Sequence, residues 1–218
     1  MTSDMNRLMG GFLKALYSEN LSGKIVLDLG CGYGLWGHVI RATVGNGGND
    51  CFLVGADIWK PYLAETQRHK AYDSFVVCDV RFLPFRKGAA EFVVAFEVLE
   101  HLTRNEGFAF LENLKELSRR VLISTPCNFY EQSEIRGNRF ERHQSGWREK
   151  DFMQHKFKAY KTGLGGDLEV VARKLHMLDF FHRLMRGVYR NEWSGAMIIA
   201  EYASLEHEDF TLYYTEKV

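Results

Sequence analysis

Proline and cysteine are both scarce in this chain, and neither forms a pattern that organises a fold. The three prolines, Pro61, Pro84 and Pro126, stand singly, which excludes a proline-rich linker or polyproline segment. The four cysteines, Cys31, Cys51, Cys78 and Cys127, show no CxxC spacing and sit among apolar or glycine-rich residues. Reduced thiols follow, rather than a disulfide framework or a zinc site. An excess of either charge is missing as well: 28 Lys and Arg offset 28 Asp and Glu, so no bulk field draws the chain to nucleic acid or anionic lipid. No run approaches the roughly 18 apolar residues of a membrane span, and no basic segment with an apolar run behind it opens the chain. A cytoplasmic protein is expected. Internal repeats and a recognisable linker are absent too. What remains is 218 residues, 46% hydrophobic and 26% charged, a composition that suits one globular domain at about 150 residues per domain.

Met5, Leu8, Met9, Phe12, Leu13 and Leu16 share one side at helical spacing and predict a leading helix within residues 1–20. From Lys24 the pattern changes to short apolar runs at 25–29, 51–56, 75–78, 92–96 and 121–124, separated by helical stretches. Such alternation predicts buried strands in a parallel sheet covered on both faces. Before the fifth run, Thr103 and Glu106 form a capping-box pattern ahead of Phe110, Leu114 and Leu117. A polar stretch at 127–147 is too long for a simple connection and is a candidate functional loop. Beyond it the pattern predicts a short helix at 148–155, a strand at 157–160, a helix capped by Asp167 and carrying Leu168, Val171, Leu175 and Leu178, and a last strand at 196–200. Residues 1–218 are read as a single domain, in which 24–126 form the core and 127–218 add a loop, helices and final strands.

The first strand runs into Asp28-Leu29-Gly30-Cys31-Gly32-Tyr33-Gly34, with a helix able to begin near Leu35. Glycine lets the chain turn sharply and a ligand approach the backbone. Gly32, Gly34 and Gly37 also satisfy the dinucleotide pattern GxGxxG, but in that pattern the first glycine directly follows the strand. Counting from Gly30 places Leu35 where the last glycine belongs. An acid at position 28 would repel a pyrophosphate and suits a cationic amino or sulfonium group. The second strand ends at Asp57, followed by Ile58, where a carboxylate can accept from both ribose hydroxyls. The third ends at Asp79-Val80, ahead of the cluster Phe82, Leu83 and Phe85, where a carboxylate can take an adenine amino group.

The segments DLGCGYG, GADIW, CDVRFLPF and FEVLEHL, in that order and spacing, resemble those of the class I S-adenosylmethionine-dependent methyltransferases, in particular members with an EVLEH-type fourth strand. The likeness covers 24–126. It implies a Rossmann-like α/β fold: a seven-stranded, mostly parallel sheet with helices on both faces and the last strand antiparallel. It also implies S-adenosylmethionine as cofactor, with Asp28, Gly30 and Gly32 at the methionine end, Asp57 at the ribose, and Asp79 with Val80 at the adenine. Gly34, Ile58 and Phe96 complete the cofactor set. Residues 127–218 then lie on the acceptor side.

Methyl transfer from a sulfonium needs a nucleophile held in line, with its proton removed where necessary. If Phe96-Glu97-Val98-Leu99-Glu100-His101-Leu102 turns helically at the ligand edge, Glu97, Glu100 and His101 share one face. With His143 they form a four-residue catalytic cluster that also suits a divalent ion. Small-RNA 2′-O-methyltransferases and ubiquinone-pathway O-methyltransferases use a similar segment with a later histidine for metal. Without an ion, Glu100 or His101 would take the proton directly. No Pro-Pro or Pro-Cys pair occurs, which removes the loops of exocyclic-amine methylases and the cytosine C5 nucleophile. Oxygen methylation of a small-molecule acceptor is favoured over nucleic acid. Between Arg136 and Lys161 eight basic residues face Glu141, Glu149 and Asp151, an excess that suits an anionic acceptor. Tyr130, Phe140 and Trp147 are candidates to line its pocket. The alternatives are an NAD-linked oxidoreductase and a non-catalytic module that binds S-adenosylmethionine or a protein partner.

Overall fold

A computed structural model of the chain describes residues 12, 13, 16, 19–44, 50–162 and 197–203. The apolar runs form strands β1 (Ile25–Leu29), β2 (Phe52–Asp57), β3 (Ser74–Val77), β4 (Ala90–Phe96) and β5 (Ser118–Pro126). They are followed by β6 (Lys158–Thr162) and β7 (Met197–Ala203). Helices α1 (Leu35–Val44), α2 (Lys60–Thr66), α3 (Arg104–Leu117) and α4 (Glu149–Met153) lie between them. The sheet order is β3-β2-β1-β4-β5-β7-β6. Parallel pairing joins five strands, from β3 to β5, whereas β7 runs antiparallel to both β5 and β6.

Alternate residues of each buried strand face opposite sides, and the two cores follow from this. On one face Val26, Leu53, Phe92 and Leu122 pack with Trp36 and Ile40 of α1 and Leu63 of α2. On the other, Leu27, Val93, Val121 and Ile123 meet Phe110, Leu111 and Leu114 of α3 and Phe152 of α4. Helix α3 begins where the capping box predicts: the Thr103 side chain accepts from Glu106 N, and the Glu106 carboxylate reaches back to Thr103 N. Strand β5 starts three residues before its apolar run, where Ser118 pairs with Ala90 of β4 and Arg120 is buried beside Glu19 at 3.1 Å. Of the expected leading helix, Phe12, Leu13 and Leu16 are helical. The Phe12 ring meets Trp36 and Phe96 edge-on. The helix expected after Asp167 lies outside the described residues. Among the described residues no helix is long and apolar enough to cross a membrane.

Candidate functional site

The carboxyl ends of β1, β2 and β4 open on a cavity of about 870 Å³, roofed by residues 132–144 of the long loop. Gly30 and Gly32 lie on its wall, and both take positive φ, +72° and +52°. A Cβ on Gly30 would stand 2.4 Å from Val98 Cγ2, so glycine is required there by conformation and by space. Ile58, Val80 and Phe96 line the same cavity. So does Asp57, whose two oxygens accept from Trp59 N at 2.7 Å and Gly32 N at 2.9 Å. Each oxygen keeps an acceptor site for a ligand hydroxyl. Burial pushes the Asp57 carboxyl above its ordinary value, against the hydrogen bonds from Trp59 and Gly32. Asp79 also lines the cavity, and Arg81 holds it from two positions along the chain.

Two members of the predicted cofactor set lie behind this wall. Asp28 does not line the cavity. It is 1% exposed, accepts from the Tyr72 hydroxyl at 2.6 Å through Oδ2, and finds no partner for Oδ1 among the described residues. Its side chain faces the α1 side of the sheet, where Tyr72 fills the space over Gly37 and Gly55. Burial raises its pKa to about 7. Gly34 likewise serves packing, since a Cβ there would stand 2.6 Å from Thr66 Cγ2.

The predicted acceptor cluster assembles in part. One ligand atom from each of Glu100, His101 and His143 lies within 4.8 Å of the others. His143 Nδ1 contacts the Tyr130 carbonyl at 2.7 Å, and His101 Nδ1 contacts the Arg142 carbonyl at 3.3 Å. A carbonyl only accepts, so both Nδ1 atoms carry the proton, and in the neutral imidazole each Nε2 then keeps a lone pair. Burial holds the His143 imidazole below its ordinary pKa. Burial also raises the Glu100 carboxyl to about 8, although its own backbone and Thr125 pull the other way.

Glu97 does not join this group, because the segment is not one continuous helical turn. Glu97 itself has φ of 56°, and the 3₁₀ turn begins only at Leu99. Two consecutive hydroxyls at the end of β5 receive the two carboxylates. Ser124 Oγ donates to Glu97 at 2.8 Å and Thr125 Oγ1 to Glu100 at 2.9 Å. Neighbouring strand residues point to opposite faces, so the glutamates are drawn apart. Glu97 still lines the cavity.

Sequence reasoning missed Ser124, Thr125, Tyr72 and Arg81; only the polar Ser-Thr pair closing an apolar run offered a local signal. Phe140 lines the cavity and sits 6.3 Å from Trp59, but neither Tyr130 nor Trp147 does. Trp147 is fully buried, its Nε1 donating to Leu99 O and Ser145 Oγ. Of the basic residues between 136 and 161, Arg139 and Arg142 reach the cavity. Tyr62 of α2 lines the same cavity as Asn138 and Glu141 of the loop, and burial raises its hydroxyl to about 12.

Residues 26–120 match the family model of a methyltransferase domain, and over this segment the match supports the class I S-adenosylmethionine-dependent methyltransferase superfamily. The superfamily assignment replaces the nicotinamide-linked alternative. The chain is similar to a tRNA (carboxymethyluridine(34)-5-O)-methyltransferase, alkbh8 of Xenopus tropicalis, with 31% identity over 113 residues. That match covers 51% of this chain and 16% of the relative, so the chain spans only a small part of that protein's length. The fold is shared with magnesium protoporphyrin IX methyltransferase of Synechocystis PCC 6803 solved with S-adenosylmethionine: TM-score 0.55, 17% identity, 92% of this chain and 80% of that one. It is shared also with the small RNA methyltransferase HEN1, at TM-score 0.57 and 18% identity over 91% of this chain and 25% of that one.

Proposed function

We propose that this domain moves the methyl group of S-adenosylmethionine to an oxygen of a small anionic acceptor in the cytoplasm. One observation carries the reading: a single cavity joins the glycine loop and Asp57 to Glu97, Glu100, His101 and His143. Asp57 would take the ribose hydroxyls, and the open space over Gly32 leaves room for the methionine end beside Phe96. The acceptor would enter under the loop, where Arg139 and Arg142 bring guanidinium groups to the wall. Such groups favour a carboxylate or phosphate. The histidine tautomers support general-base help, since an Nε2 lone pair can take the acceptor's proton as the oxygen attacks. The name of the Xenopus relative, an O-methyltransferase of carboxymethyluridine, supports oxygen as the nucleophile.

A divalent ion is a second reading, favoured by the donor set. A Glu100 oxygen and one nitrogen from each of two imidazoles suit a borderline metal, and the backbone carbonyls that hold both Nδ1–H groups would leave Nε2 for the ion. Glu100, His101 and His143 would hold it, and when bound it would acidify the acceptor hydroxyl.

Incubation with methyl-labelled cofactor tests the reading, using carboxylated and phosphorylated small molecules in one arm and tRNA or short RNA in another. Label in a small anionic acceptor is the expected result. Label confined to RNA would replace the small-molecule acceptor, and binding of S-adenosylhomocysteine without transfer to any arm would favour the non-catalytic module.

A further inference from the structure

We propose that Arg81 is a positioning residue of the cofactor's base subsite, holding the Asp79 carboxylate so that one acceptor site is presented to the adenine amino group. The inference rests on the reading above that Asp79 faces adenine.

Strand β3 delivers Asp79 to the cavity, and the next three residues form a 3₁₀ turn, Val80–Phe82, which Asp79 caps. Arg81 then folds back on the same carboxylate. Its backbone N lies 3.0 Å from Oδ1, its Nε lies 2.9 and 3.0 Å from the two oxygens, and its Nη2 lies 2.6 Å from Oδ2. A carboxylate offers about four acceptor sites. Three donors from one residue make four contacts, two on each oxygen with the Nε–H shared between them, and they fix the plane in which the remaining acceptor capacity lies. Without the Arg81 guanidinium only the backbone N of residue 81 would hold this short side chain, beside the acid Glu106.

The guanidinium is itself fixed from a second direction. Its Nη1 donates to Glu106 Oε1 at 2.9 Å. The other Glu106 oxygen accepts from Thr103 N at 2.9 Å and Thr103 Oγ1 at 2.6 Å, closing the capping box of α3. The base subsite is thereby tied to the helix that begins just after Glu100 and His101. Burial works against ionisation of Asp79, but the Arg81 bonds overcome it and hold the carboxyl below its ordinary range. A solvated pair would need neither the fork geometry nor the Glu106 anchor, and Arg81 and Asp79 both line the cavity.

Calorimetry with two probes separates this role from a purely structural one: S-adenosylhomocysteine, which presents an amino group, and S-inosylhomocysteine, which presents a carbonyl at the same position. The wild type should prefer the amino ligand at least about ten-fold, the scale for a site built to accept a donor. Arg81→Ala should lose about ten-fold in affinity for the adenosine ligand, removing most of that preference, with little change for the inosine ligand. Arg81→Lys should behave similarly, because an ammonium keeps the charge without the planar fork. Glu106→Gln should lose less, in the same direction. An unchanged preference in an Arg81→Ala protein with a normal melting profile would overturn the proposal. So would tighter binding of the adenosine ligand, which would make Arg81 a competitor of adenine, or full rescue by lysine. No binding of either ligand to the wild type would instead overturn the cofactor reading and this one with it.

Discussion

The indole of Trp147 occupies the space that a side chain on Gly107 would need: a Cβ there would stand 2.3 Å from Trp147 Cζ2. The bare first turn of α3 is therefore the seat of the loop's far end. The same indole donates to the carbonyl of Leu99. The loop carrying His143 is thus docked on the turn that carries Glu100 and His101.

Gly107→Ala should overpack this contact and cost about 1–3 kcal/mol, against the gain that alanine brings to a helix. Trp147→Ala should cost about 3–5 kcal/mol by leaving a cavity. Urea denaturation reads both. S-adenosylhomocysteine affinity should change little, because Asp57 and the glycine loop lie on another wall; a large loss would mean that the loop also shapes the cofactor pocket.

Asp57→Ala should weaken S-adenosylhomocysteine by about 1.5–3 kcal/mol, the scale for hydrogen bonds to a charged group. Calorimetry on the folded variant checks this, and an unchanged affinity would end the ribose assignment.

Asp28 predicts a pH dependence of stability. Its folded pKa is raised by burial to about 7, above the roughly 3.9 of an unfolded chain. Between these values the folded protein holds a proton that the unfolded chain has released, so this group's contribution falls as pH rises from about 4 to 7. Asp28→Asn removes that slope. Its urea midpoint relative to wild type should rise from pH 4 to 7 and then level off. Parallel curves for the two proteins would contradict the buried-acid account.

The split between Ser124 and Thr125 should appear in stability. Thr125→Val leaves the nearly inaccessible Glu100 short of a donor and should cost about 1–3 kcal/mol. Ser124→Ala should cost less, since Glu97 is half-buried and can turn to water. Equal losses would show that burial does not distinguish the two glutamates.

The second reading makes its own demand on the cluster. If Mn²⁺ binds, titration calorimetry should show binding lost in Glu100→Gln and His143→Ala and kept in Glu97→Gln, because Glu97 lies outside the converging set. Loss in Glu97→Gln would restore the four-residue site.

Much of this architecture was legible because it is written in local chemistry. Periodicity marked five core strands, turn residues marked the glycine loop, and the Thr103–Glu106 pair marked the start of α3, since each depends on neighbours along the chain. The order of acids after β1, β2 and β3 was legible for the same reason. Which acids reach a ligand was not. Asp28 turns inward because Tyr72, 44 positions away, fills the space beside it. Glu97 and Glu100 part because two strand hydroxyls on β5 point to opposite faces, and no spacing within EVLEH encodes that. Likewise Trp147 looks like a pocket residue until Gly107 is brought beneath it. Sequence alone determined the elements and the chemistry available at their ends; which side chains meet was decided by packing between segments far apart in the chain.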